Sequence, residues 1–174
     1  SVLIADPRAA AAPERGLSVA ERAAEPRWID GMQVWAGMAA NQRGDVDRAV
    51  SLGSEAIVGA RRRGDRATIL RATMMLLAFD DEQLEIPVHI PSPIEALTLA
   101  RELGESLYES LLLPRVVSMA TKNGEADTAR GHAVDMLRMA RTMPGSPVVG
   151  FHLLAMVALA EASGEYERAS VYHG

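Results

Sequence analysis

The sequence predicts an all-α solenoid of antiparallel helix pairs, and three observations carry that reading. A short turn motif recurs with a 40-residue period. Alanine supplies 29 of the 174 residues, whereas aromatic residues make up only 4%. Alanine loses little side-chain entropy in a helix and lets helices approach closely, so this balance argues against a β-sandwich or barrel. Cysteine is absent, which removes disulfides, thiolate metal sites and thiol nucleophiles and fits a cytoplasmic protein.

The turn motif reads G-acid-x-acid-x-A. It stands at Gly44-Asp45-Val46-Asp47-Arg48-Ala49, at Gly124-Glu125-Ala126-Asp127-Thr128-Ala129 and at Gly164-Glu165-Tyr166-Glu167-Arg168-Ala169. The copy due at position 84 is replaced by Leu84-Glu85-Ile86-Pro87. A second series, Ala60-Arg61, Ala100-Arg101 and Ala140-Arg141, keeps the same period through that gap. Each marker has a physical role. Glycine ends a helix in a left-handed conformation, the acids complement the positive end of the next helix, and the alanine permits close packing.

The elements follow in order. Residues 1–26 form an N-terminal segment in which Leu17–Ala24 reads as the stub of a preceding second helix, and residues 27–174 form the repeat array, about three and a half helix pairs. The first pair is expected at Arg27–Arg43 and Val46–Arg63. The second opens at Asp65–Phe79, is interrupted by the irregular insert Asp80–Pro91, and resumes at Ser92-Pro93 with proline suited to a first helical position. It ends at Leu103-Gly104. The third spans Glu105–Lys122 and Glu125–Thr142, with a kink or a late start at Pro114 and a stop at Met143-Pro144-Gly145. The fourth begins over Pro147–Ser163, and its second helix starts at Glu165. The chain starts without methionine and stops as a helical pattern is being set up, so it reads as a piece of a longer protein. The longest apolar stretches, Leu111–Val117 and Val148–Ala160, fall short of the roughly 18–20 residues of a membrane span.

The turn, with a second small residue seven positions on (Ala56 after Ala49) and Gly37 seven before Gly44, resembles the tetratricopeptide repeat (TPR) signature. The departures are a period of 40 rather than about 34, Leu77, Val117 and Val157 in place of Gly37, and Met136 in place of Ala56. Longer, alanine- and arginine-rich units of this style are similar to the helical arrays of large bacterial LuxR-type (MalT-like) ATP-binding transcriptional regulators. That resemblance implies an interaction or sensing role within a larger regulatory protein. No GxxxxGK[ST] motif and no separate helix-turn-helix is present in the sequence.

In TPR-like arrays the first helices of successive pairs line a concave groove. Carrying that register along by 40 residues gives three columns: Asn41, Asp81, Thr121 and Glu161; Val34, Met74, Pro114 and Leu154; and Gly31, Arg71, Leu111 and Phe151. The candidate groove-lining residues are therefore Val34, Met38, Asn41, Arg71, Met74, Asp81, Thr121, Phe151, Leu154 and Glu161. Such a surface suits an extended peptide or a partner helix. Trp28 and Trp35 lie two turns apart on one side of their helix, near Met32 and Met38, and are expected to pack in the core. Arg61-Arg62-Arg63 is expected to be solvated at a helix C-terminus, where cations complement the dipole. Asp80-Asp81-Glu82 in the insert reads either as a contact loop or as a tolerated insertion.

No catalytic set emerges. His132 and Asp135 share a helical face but lack a third ligand, and His89, His152 and His173 are isolated. No nucleophile–base pairing is legible. Neither metal nor cofactor is expected. The net charge of −5 argues against direct nucleic-acid binding, and no membrane association is expected. The functional expectation is a non-catalytic module binding a protein or peptide partner, another domain of its own chain, or a small effector. The alternatives are a helical ligand-binding or enzymatic domain with a pocket between helices, and a structural self-association module.

Overall fold

The computed structural model describes residues 11–79, 86–142, 150, 152, 153, 155–157 and 160. These residues are helical apart from turns and one extended segment, with no strand among them. Helix α1 spans Ala12–Ala23, α2 Pro26–Gln42, α3 Val46–Arg63 and α4 Arg66–Leu76, the last running into a 3₁₀ turn at Leu77–Phe79. After the extended residues 86–92 come α5 (Pro93–Leu103), α6 (Ser106–Lys122) and α7 (Ala126–Thr142). Described residues between 150 and 160 are also helical. The expected second helix of the fourth pair, and the stop at Met143-Pro144-Gly145, lie outside the described residues.

One turn chemistry sets almost every boundary. Gly44, Gly64, Gly104 and Gly124 all adopt positive φ, from 66° to 79°. After each glycine an acid follows, and its backbone N–H donates across six residues to an alanine carbonyl. The pairs are Asp45 to Ala40 (3.0 Å), Asp65 to Ala60 (2.9 Å), Glu105 to Ala100 (2.9 Å) and Glu125 to Ala120 (2.8 Å). This is the Schellman closure, which satisfies carbonyls that a helix end would leave open. Ala24, at φ 53°, makes the same turn without glycine, and Glu25 N–H reaches Ala20 at 3.4 Å. The motif therefore recurs at multiples of 20 residues, at 24, 44, 64, 104 and 124, and closes α1, α2, α3, α5 and α6 rather than one helix of each pair. The accepting alanines are all buried, because a larger side chain there would hold the helices apart.

The following helix is then capped from its own first residues. Asp45 accepts from Arg48 N–H and Asp65 from Thr68 N–H. Ser92 and Glu95 form a reciprocal capping box ahead of Pro93.

The chain divides into two compact units, Ser1–Pro91 and Ser92–Gly174, with the division at the end of the expected insert. In the first unit each helix packs on the next, and α2 also touches α4. Its main core joins Val34, Ala49, Ile57, Ala72, Met75, Leu76 and Phe79, with Ile86, Val88 and Ile90 laid against it. Met75 seats in a notch made by two glycines. A β-carbon on Gly37 of α2 would stand 2.7 Å from the Met75 sulfur, and one on Gly53 of α3 would stand 2.9 Å from Leu76 Cδ2.

In the second unit α6 packs on both α5 and α7. Helix α6 starts at Ser106 and runs through Pro114, so the expected late start does not occur. Proline has no N–H to give its i−4 carbonyl, here that of Ser110. The imidazole Nε2 of buried His152 lies 3.0 Å from that carbonyl and 3.1 Å from Ser110 Oγ. A side chain from the helical residues beyond α7 thus meets a carbonyl that the backbone cannot serve.

Trp28 and Trp35 correct the expectation of core packing: they are 68% and 52% exposed. The buried face of α2 is built instead from Val34, Ala36, Gly37, Ala39 and Ala40 together with Asp30 and Gln33. Small residues bring α3 close, and the two indoles lie on the opposite side. No helix of the described residues is long and apolar enough to cross a membrane.

Candidate binding cleft

The first unit places an unusual set of polar groups between α2 and α3. Helix α2 supplies Asp30 and Gln33, one turn apart. Helix α3 supplies Ser54, Glu55, Val58, Gly59 and Arg62, and Val88 closes one side. Together they line a cleft of about 360 Å³. The segment carrying Val88 is tied to α3, because Arg61 donates to the carbonyl of His89 at 2.6 Å.

Asp30, Gln33 and Ser54 are each less than a tenth exposed. Burying such groups is unfavourable unless they find partners. Asp30 pairs with the guanidinium of Arg63. Its carboxylate lies over Gly59, where a β-carbon would come within 2.7 Å of Cγ. Gln33 Nε2 donates to Glu55 Oε2 at 2.8 Å, and Ser51 Oγ donates to Glu55 Oε1 at 3.0 Å. Three buried side-chain atoms of these lining residues have no hydrogen-bond partner: Asp30 Oδ2, which is met only by the ion pair with Arg63, Gln33 Oε1 and Ser54 Oγ.

Arg61, Arg62 and Arg63 are exposed in the last turn of α3, as expected, and they also make specific contacts. Arg63 answers a buried carboxylate, Arg61 holds an extended segment, and Arg62 lines the cleft. Arg101 stands one 40-residue period after Arg61 and also bridges elements. Its Nε meets Glu109 of α6 at 2.7 Å and its NH2 group meets Asp135 of α7 at 2.8 Å. The hydrogen bond to Glu109 leads the causes that raise its pKa above the ordinary arginine value.

The turn into α4 carries a second electrostatic feature. Burial works to raise the Asp65 carboxyl, but hydrogen bonds from Thr68 N–H and Oγ1–H, and the charges of Arg27 and Arg71, outweigh it. Asp65 therefore lies below the ordinary carboxylate value.

The expected groove residues do not line this cleft among the described residues. Val34 is buried in the core and has no surface to present, because it faces α3 and α4. Met38 and Asn41 are exposed, and Arg71, Met74 and Thr121 are half-buried. Thr121 Oγ1 is committed to the Val117 carbonyl at 2.8 Å. Asp81, Phe151, Leu154 and Glu161 lie outside the described residues, as do the Asp80-Asp81-Glu82 loop and His173.

Residues 30, 33, 54 and 55 went unnoticed in the sequence, since polar residues on two different helices read as surface. Gly59 is the signal that points to them. A glycine in a helix interior is unfavourable unless something occupies the space of its missing β-carbon, and here Asp30 does.

Ser110 and His152 also escaped notice, being 42 residues apart. His152 Nε2 lies within hydrogen-bond distance of both the Ser110 carbonyl and its Oγ, both residues are buried, and Nδ1 has no partner to orient the ring. Asp135, expected to share a face with His132, is bound by Arg101 and Arg138. Among the described residues no group of three histidine or acidic side chains is placed to hold a metal.

Comparison with protein-family models, curated proteins and solved structures finds no match to this chain.

Proposed function

We propose that this chain is a non-catalytic binding module, a TPR-like array of helix pairs that takes up an effector or a partner's side chain in the cleft between α2 and α3. One observation carries this reading. Gln33 and Ser54 are among the residues that line the cleft, and their buried Oε1 and Oγ have no hydrogen-bond partner. Buried polar atoms without partners are scarce in native proteins, and a bound group supplies the missing hydrogen bonds. The array reading is supported by the repeating glycine–acid turn and by α2 touching both α3 and α4. The style of the repeat supports a place within a larger bacterial regulatory protein. There, occupancy of the cleft would be passed on through helix packing, because α3 carries both the cleft wall and the Arg61 tie to the segment around His89.

A ligand-observed NMR screen of small cationic, anionic and neutral metabolites tests the reading. Compounds that bind wild type should lose binding to Ser54→Leu, which fills the cleft. A library in which no compound distinguishes the two chains would overturn it.

A further inference from the structure

Away from the cleft, the outer face of α2 holds both tryptophans of the chain in the open, with Met38, 41% exposed, beyond them. Trp28, Gly31, Trp35 and Met38 are spaced three, four and three residues apart, so they form one stripe along the helix. The two tryptophan positions stand about 10 Å apart along the axis. Between them a β-carbon on Gly31 would meet nothing within 4 Å. The stripe is therefore an open notch with aromatic ends. Tryptophan, methionine and arginine are the residues that most often anchor interfaces. We propose that this face docks a partner protein through an acidic amphipathic segment. A leucine or phenylalanine of that segment sits over Gly31 between the indoles, and a carboxylate meets Arg71.

Charge selects the occupant. Helix α4 runs alongside α2 in the same direction, because Arg27 lies 4.0 Å from Asp65 and Gly37 faces Met75, an offset of 38 residues at both places. By that offset Arg71, half-buried on α4, comes level with position 33, between Gly31 and Trp35. The two helices carry three arginines, Arg27, Arg66 and Arg71, and one acid, Asp30, which is buried and answered by Arg63 of α3. Asp65, held by Thr68 ahead of α4, offsets one of the three. A chain of net charge −5 thus presents a surplus of cations here, and an acidic segment is drawn to it. A second copy docked on the same face would set cation against cation. Lipid surfaces recruit clusters of about four to eight basic residues, more than this face holds.

Both indoles of the chain lie in the proposed site, so its tryptophan emission reports on that site alone. The full chain is titrated with a short amphipathic peptide of leucine, phenylalanine and glutamate. The controls are the same peptide with lysine for glutamate, the same peptide with serine for its apolar residues, and vesicles of phosphatidylcholine and phosphatidylserine. A saturable blue shift is expected with the acidic peptide and none with the controls. Gly31→Leu fills the notch without a clash and should weaken the acidic peptide about tenfold. Arg71→Gln should weaken it about fivefold, with circular dichroism showing that both variants keep the fold. Ser54→Leu, in the cleft between α2 and α3, should leave this affinity unchanged, which separates the two sites. No shift with the acidic peptide, an equal shift with the lysine peptide, or unchanged affinity in both Gly31→Leu and Arg71→Gln overturns the proposal. A larger shift with vesicles also overturns it and assigns the face to lipid. Blue emission from the chain alone that reddens on dilution overturns it in favour of a second copy.

Discussion

The carboxylate of Asp30 occupies the space that a side chain on Gly59 would need, with Asp30 Cγ 2.7 Å from where a β-carbon would stand. The two residues lie on different helices and each is intelligible only through the other. Glycine inside a helix is destabilising by roughly 0.5–1 kcal/mol relative to alanine. A buried aspartate needs an approach to Arg63 that only a bare backbone leaves open.

Gly59→Ala should therefore destabilise the chain by about 1–2 kcal/mol, because displacing a buried, ion-paired carboxylate outweighs the gain in helix propensity. In an Asp30→Ala background the same substitution should stabilise by about 0.5–1 kcal/mol. Urea melts of the four chains read the cycle. A Gly59→Ala penalty of equal size in both backgrounds would refute the shared-space account.

His152 is expected to matter in proportion to the proline it serves. His152→Ala should destabilise by about 2–3 kcal/mol, since it strands the Ser110 carbonyl in the core. In a Pro114→Ala background, residue 114 recovers an N–H for that carbonyl, and the His152→Ala penalty should fall by about 1 kcal/mol. Additive losses in a double-mutant cycle would show that the two residues act independently.

The turns offer a matched pair of opposite changes. Ala24 occupies the left-handed region that Gly44 and Gly64 occupy freely. Ala24→Gly should stabilise by about 0.5–1 kcal/mol and Gly64→Ala should destabilise by about 1 kcal/mol. Thermal unfolding of the single variants reads both signs, and a stabilising Gly64→Ala would contradict the turn assignment.

The acid limb of stability should carry the Asp65 signature. Its carboxyl is lower in the folded chain than in the unfolded one, because Thr68, Arg27 and Arg71 favour the charged form over the opposing effect of burial. The unfolded chain therefore holds the proton more tightly. The contribution is present above the unfolded value, about 3.9, and is lost as pH falls through the lower folded value. Asp65→Asn keeps a capping oxygen but does not ionise, so its stability should converge with wild type as pH falls from 7 to 2. A gap that widens on acidification would reverse the assignment.

Helix ends were legible because they are written in local chemistry. Glycine followed by an acid marks Gly44 and Gly124, and Ser92-Pro93 with Glu95 marks the start of α5. The half-period of 20 was hidden because the longer six-residue motif does not extend to Gly64, Gly104 or Ala24. There only the glycine–acid pair, or alanine–acid at position 24, survives. The indoles were misjudged for a different reason. The buried face of α2 is chosen by closeness to α3, and Ala36, Gly37 and Ala40 allow that closeness where tryptophan does not. The cleft was illegible because its acceptors are defined by the partners they lack. A sequence shows that Gln33 and Ser54 are polar, but not that neither finds a donor for its oxygen.

The repeated closure also bears on how the chain reaches this structure. Each described turn is fastened by a bond spanning six residues, so each helix end forms without waiting for distant segments. Loop-closure entropy is small at every such step, and neighbouring helices meet over short separations. Folding should be rapid and able to start at any turn. Native-state hydrogen exchange should then resolve separate openings for the two compact units rather than one cooperative event.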